Sequence, residues 1–176
     1  MPAYHSKFIS DNYEQLCSCA VMPIKTSVRG PAPSMPEGED VDVIDECLSF
    51  YRANVLFYNF NPTSSADHTL VYLTLYTQLC LRTLDQASIT TPDQASSALR
   101  ELAYKTQVMP GHPNWPLGSW FQAPESDQQR DAFQLYFNQV REELGARLVG
   151  RVFADGSKSK WWLAFSKRKF LGKELR

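Results

Sequence analysis

Proline decides where this chain can be helical, because its ring removes a backbone donor, clashes with the preceding turn and pushes the residue before it into an extended conformation. Of the 11 prolines, five lie in residues 1–40 and four between Thr106 and Pro124. The first group, with Arg29-Gly30-Pro31-Ala32-Pro33, predicts an extended, irregular N-terminal arm over residues 1–39. The second, in Pro110-Gly111-His112-Pro113-Asn114-Trp115-Pro116-Leu117-Gly118-Ser119-Trp120, predicts a long rigid loop with large aromatic side chains.

Between these breaks the apolar spacing is helical. Asp40-Val41-Asp42 supplies the negative charge a helix start favours, and Ile44, Cys47, Leu48, Tyr51, Val55 and Tyr58 recur on one face up to a stop at Asn61-Pro62. Ser65 or a neighbour caps a second helix, with Leu70, Leu73, Tyr76, Cys80, Leu81 and Leu84 on one face. Its segment Thr69–Tyr76 alternates like a strand, but length favours helix. Thr91-Pro92-Asp93 reads as a cap with proline in the first turn, opening a shorter helix with Ala95, Ala98, Leu99, Leu102 and Ala103 inward. Ser126-Asp127 begins another through Phe133, Tyr136, Phe137, Val140 and Leu144, with Gly145 as a weak point and Gly150 as an end. After a turn at Asp155-Gly156-Ser157, Lys160–Phe170 reads as a basic, aromatic helix. The expected fold is mainly α: one domain over 1–176 with about five helices, an arm (1–39) and a helical body (40–176).

A chain of 176 residues builds one good core more comfortably than two, and 43% hydrophobic with 21% charged residues is the composition of a folded protein. The net charge of -1 conceals a segregation: Lys158–Arg176 holds seven basic residues and one acidic, so this tail is +6 and the rest is -7. One end is therefore built to meet something negative. The N-terminus has no basic flank followed by an apolar run, and the run Leu70–Leu81 is broken by Thr74, Thr77 and Gln78, so a soluble cytoplasmic protein without membrane insertion is expected.

Residues that carry chemistry are present but scattered. Cys17, Cys19, Cys47 and Cys80 are too few for a disulfide framework and predict free, partly buried thiols. Cys17-Ser18-Cys19 lacks the second ligand pair a zinc site needs. His5, His68 and His112 lie in an arm, a helix start and a proline-rich loop, and Asp67-His68 reads as a polar first turn. The acidic run Glu37–Glu46 lacks the glycine and closing glutamate of a calcium loop begun at Asp40, which favours a solvated helix start. No Gly-rich phosphate loop occurs. These readings predict no catalysis, no metal and no cofactor. In the tail, basic and aromatic residues interleave, which suits phosphates and stacked bases. It equally suits an acidic protein surface with Trp161, Trp162 and Phe165 as anchors, or, more blandly, tryptophans that are simply core.

Taken in order, Met1-Pro2-Ala3-Tyr4-His5-Ser6, Arg29-Gly30-Pro31-Ala32-Pro33, Asp45-Glu46, Ala53-Asn54-Val55, Asp67, Thr69-Leu70, Thr74-Leu75-Tyr76, Pro116-Leu117, and Lys160-Trp161-Trp162 through Lys167-Arg168, Phe170 and Lys173 form one pattern along the chain. It resembles the subunit 3 (p21) family of the actin-related protein 2/3 complex. The arm after Pro33 and the segment from Asp85 to Met109 resemble that family only loosely. The resemblance implies a mostly helical, non-catalytic scaffold seated beside actin-related protein three in a seven-subunit machine that nucleates branched actin filaments. Its implied partners are actin-related proteins two and three and the other small subunits, with the filament met indirectly or at branch junctions. Its implied place is the cytoplasmic actin cytoskeleton, in cortical patches or leading-edge networks. The two actin-related subunits would bind ATP; this chain would bind no nucleotide and no nucleic acid. Trp115, Trp120, Lys167, Arg168 and Lys169 are the expected contact residues. The alternative is a basic-tailed nucleic-acid-binding protein.

Overall fold

The computed structural model describes residues 4–176; Met1-Pro2-Ala3 of the family-like opening lie outside the described residues. A two-residue hairpin, β1 (Gln15–Leu16) antiparallel to β2 (Cys19–Ala20), precedes helices α1 (Val43–Asn54), α2 (Ser65–Leu84), α3 (Pro92–Tyr104), α4 (Asp127–Val152) and α5 (Lys160–Leu163). Single 3-10 turns occur at Gly118–Trp120 and Phe170–Gly172.

Helix α2 is the centre. Val71, Tyr72, Leu73, Leu75 and Tyr76 are all buried although they point in every direction around the axis. A helix that is covered on all sides has no polar stripe, and this is why its sequence mimics a strand. Its polar residues are satisfied internally: the hydroxyls of Thr74 and Thr77 donate to the carbonyls of Leu70 and Leu73, each at 2.8 Å. Around it pack α1, α3, α4 and the hairpin, with one hydrophobic cluster running through all of them.

The helix starts are local chemistry. Ser64, Thr91 and Ser126 accept hydrogen bonds from the backbone N–H three residues on, and Thr91 and Asp42 close reciprocal capping boxes with Gln94 and Asp45. The interior breaks expected in α4 do not occur. The helix runs 26 residues through Gly145 and Gly150 and ends after Val152. At Gly145 an added Cβ would lie 3.2 Å from the Cβ of Leu99, so this glycine lets α3 lie close against α4.

Two other helices are shorter than their sequence periodicity. The first stops at Asn54 instead of Asn61-Pro62. The buried Asn54 amide clasps the arm, its Oδ1 accepting from Tyr4 N–H at 2.8 Å and its Nδ2 donating to the Tyr4 carbonyl at 3.0 Å. The chain then turns through Leu56 N–H to Ala53 and Phe57 N–H to Asn54. The expected basic helix Lys160–Phe170 is helical only to Leu163, followed by turns and a left-handed Leu171 (φ 54°). Bonds to α2, described below, hold it in that irregular path.

Residues 4–39 carry the β1–β2 hairpin and no helix, and residues 16–24 supply core side chains, among them Cys19, Ala20 and Met22. Three carboxylates that read as solvated helix-start charge are buried and tie it down. Asp67 accepts from the N–H groups of Ser6 and Thr63 and lies 2.7 Å from His5 Nδ1. Glu46 accepts from Lys7 N–H at 2.8 Å, and Asp42 from Lys25 N–H at 2.8 Å. Farther along, Gln139 of α4 accepts from Ala32 N–H and donates to the Val28 carbonyl, which leaves no room for a side chain at Gly30. Gly30→Ala is expected to displace Gln139 and cost about 1–2 kcal/mol of unfolding free energy. Denaturant melts check this; an unchanged midpoint would show that the arm gives way instead.

Candidate functional site: a docking surface on the C-terminal tail

The tail lies on the C-terminal half of α2 because polar groups of that helix and of its C-cap hold it there. Gln78, fully buried, accepts from Phe170 N–H at 2.8 Å and donates to the Lys173 carbonyl at 3.1 Å. Arg82 donates to Glu174 at 2.6 Å and to the Leu175 carbonyl at 3.0 Å. Ser166 donates to Asp85, at the end of α2, at 2.9 Å. Phe170 and Leu175 are buried between these bonds.

Lys167, Arg168 and Lys169 are therefore pinned on both sides and stand in solvent. Lys169 Nζ is 3.6 Å from Glu174, whereas neither Lys167 nor Arg168 has a carboxylate within 4.0 Å among the described residues. All three line an open groove of about 260 Å³, shared with Val55, Leu56, Phe57 and Tyr58 just beyond α1. Tyr58, expected on the inward face of the first helix, is instead 90% exposed, and Leu56 is 50% exposed.

The other expected contact residues lie elsewhere. Trp115 is buried within the chain, 6.1 Å from the ring of Tyr72 and edge-on to Phe121, so the expected exposed anchor is a core residue. Trp120 is half-buried on the same loop, and neither tryptophan lines the cationic groove. In the tail, Trp162 is core, stacked on Tyr51 with the Arg52 guanidinium over its ring, while Trp161 is 75% exposed. Sequence reasoning missed Leu56 and Tyr58 because apolar periodicity continues past the point where the helix stops. The asparagines at 54, 59 and 61 were the available signal.

Burial governs the thiols. It pushes the Cys17 thiol up to about 11 and those of Cys47 and Cys80 to about 12, which leaves them protonated at neutral pH and poor nucleophiles. All four cysteines are free and buried. His68, half-buried with Nδ1 3.0 Å from the Ser18 carbonyl, is held below its ordinary value, chiefly by desolvation. Among the described residues no three His, Cys, Asp or Glu side chains gather as a metal site, and no helix is long and apolar enough to cross a membrane.

The exposed cationic edge and the two exposed apolar side chains beside it sit on a mainly helical domain with one hydrophobic core. The family described as "P21-Arc: ARP2/3 complex ARPC3 (21 kDa) subunit" matches residues 1–175, and the chain belongs to it. Relatives are similar over most of their length. The actin-related protein 2/3 complex subunit 3 of Dictyostelium discoideum is 42% identical over 176 residues, covering 98% of this chain and 99% of that one. Those of Saccharomyces cerevisiae (39% over 183 residues; 99% and 100%) and Arabidopsis thaliana (38% over 170 residues; 96% and 96%) agree.

Proposed function

We propose that this protein is a non-catalytic structural subunit of the actin-related protein 2/3 complex in the cytoplasmic actin cytoskeleton, supporting the arrangement of the two actin-related subunits from which branched filaments are nucleated. The observation that carries the reading is the family match over residues 1–175. The structure supplies a physical means: a preorganised edge loses little conformational entropy when a partner covers it. Lys167, Arg168 and Lys169 provide the electrostatic part of that contact, against an acidic partner such as actin-related protein three. Trp120, half-buried on a separate loop, is a second contact; Trp115 acts through it by packing the loop onto α2. The nucleic-acid alternative finds no support among the relatives, each of which is named as a subunit of this complex.

Reversing Lys167, Arg168 and Lys169 to glutamate is expected to weaken entry of the chain into a complex reconstituted without it by about tenfold or more, because like charges would then face the partner. Circular dichroism should stay unchanged, since all three side chains are exposed. Co-purification of the triple variant with the other subunits at the wild-type level through moderate salt would remove the cationic edge from the interface.

A further inference from the structure

Large apolar side chains exposed singly are ordinary; two thrown outward side by side, between two that are buried, require a cause. Beyond α1 the chain places Val55 inside, Leu56 outside, Tyr58 outside and Phe60 inside again. The departure is enforced by the Asn54–Tyr4 clasp, which ends the helix, and by the burial of Phe60 against Phe170, with ring centroids 5.8 Å apart. Leu56 and Tyr58 thus stand on a short segment fixed at both ends, in the groove lined by Lys167, Arg168 and Lys169. The two elements meet through the same residue: Phe170, which packs on Phe60, directly follows the cationic triplet and is bonded to Gln78.

We propose that Leu56 and Tyr58 are the apolar anchors of one docking surface whose charged rim is Lys167, Arg168 and Lys169, and that its occupant is a carboxylate-bearing face of a folded partner subunit with a shallow apolar recess. This deepens the assembly reading above and rests on it. Charge complementarity identifies the occupant. Lys167 and Arg168 have no carboxylate within 4.0 Å among the described residues, so both cations are free to pair with carboxylates of a partner. A protein face is favoured over nucleic acid by Leu56, which offers no ring for stacking, and by the -7 charge of the rest of the chain, which repels phosphates. An interface of this form, with a tyrosine and an aliphatic group at the centre and arginine and lysine at the rim, concentrates its affinity in the central pair.

The test adds wild-type chain, or the Leu56→Ala/Tyr58→Ala double variant, to a complex reconstituted without this subunit. Leu135→Ala on α4, which removes a leucine at least as exposed as Leu56 and remote in sequence from the groove, serves as the control. The expected result is an apparent affinity about 30-fold weaker for the double variant and unchanged for the control. A melting temperature equal to wild type verifies the fold. As a readout independent of substitution, nitration of Tyr58 by tetranitromethane, followed by mass spectrometry, should be rapid in the free chain and suppressed in the assembled complex. Failure of the wild-type chain to enter the complex overturns the assembly reading itself. Entry of wild type and double variant with equal affinity, or equal nitration of Tyr58 free and assembled, overturns the anchor assignment alone. Salt-sensitive binding of a single-stranded oligonucleotide that the double variant abolishes would also overturn it, because the surface would then be a nucleic-acid site.

Discussion

Arg147→Met is expected to lower the unfolding free energy by about 3–5 kcal/mol, the cost of leaving a buried charge without its partner. Arg147 reaches from α4 across to the start of α1 and the arm. Its Nη1 donates to Asp42 at 2.7 Å and to Asp45 at 3.0 Å, its Nη2 to Asp42 at 2.7 Å and to the Lys25 carbonyl, and its Nε to Glu143 at 2.8 Å. Asp42 is 1% exposed, so its carboxylate depends on protein donors, of which the guanidinium is the charged one. The same carboxylate caps α1 and accepts from Lys25 N–H, so three elements lose their common tie at once.

The pH dependence of that loss has a definite sign. Burial on its own would raise the Asp42 carboxyl, but Arg147 and the N–H groups of Asp45 and Lys25 outweigh it and hold the carboxyl below its ordinary value. A folded-state value below the unfolded one contributes stability that is present above the unfolded value and lost as pH falls through the folded one. Wild-type protein should therefore weaken as pH drops below about 4, the ordinary carboxylate range. In Arg147→Met, desolvation is no longer outweighed, the carboxyl rises, and acid relieves the penalty. The difference in stability between the two proteins should shrink from pH 7 toward pH 3 in guanidinium melts. A constant difference would mean that Asp42 does not carry the effect.

What the sequence reveals depends on how far apart the interacting groups are. Thr91-Pro92-Asp93 and Ser126-Asp127 are caps whose partners lie within one turn, and they could be read directly. Tyr58 could not, because the end of α1 is set by Asn54 bonding a residue 50 positions away. Asp67 and Glu46 resembled solvated first-turn charge for the same reason: the N–H groups they accept from, on Ser6 and Lys7, are 61 and 39 positions distant. Trp115 sat among prolines and read as an exposed anchor, but a rigid loop folds back onto the core as readily as it projects. The candidate site was legible as charge, since a +6 tail on a -1 chain must face something. Its neighbours Leu56 and Tyr58 were not, because the Asn54–Tyr4 clasp and the packing of Phe60 on Phe170 place them, and its rigidity was not, because it arises from tertiary bonds to α2.

Those bonds make the second large effect a substitution far from any surface. Gln78→Leu keeps the apolar surroundings filled and removes the acceptor for Phe170 N–H and the donor for the Lys173 carbonyl. Each buried backbone group left without a partner costs about 1–3 kcal/mol, so a loss of about 2–4 kcal/mol is expected, confined to the tail. Hydrogen exchange should show amides of residues 166–176 losing protection while those of α2 and α4 keep theirs. Lys167, Arg168 and Lys169 would then retain their charge and lose their fixed position, and entry into the complex should weaken although no interface residue has changed. That combination separates rigidity from charge. If the tail frays and assembly is unaffected, net positive charge is sufficient and the fixed path of the tail serves only the fold; if the tail stays protected, Arg82 and Ser166 hold it without Gln78.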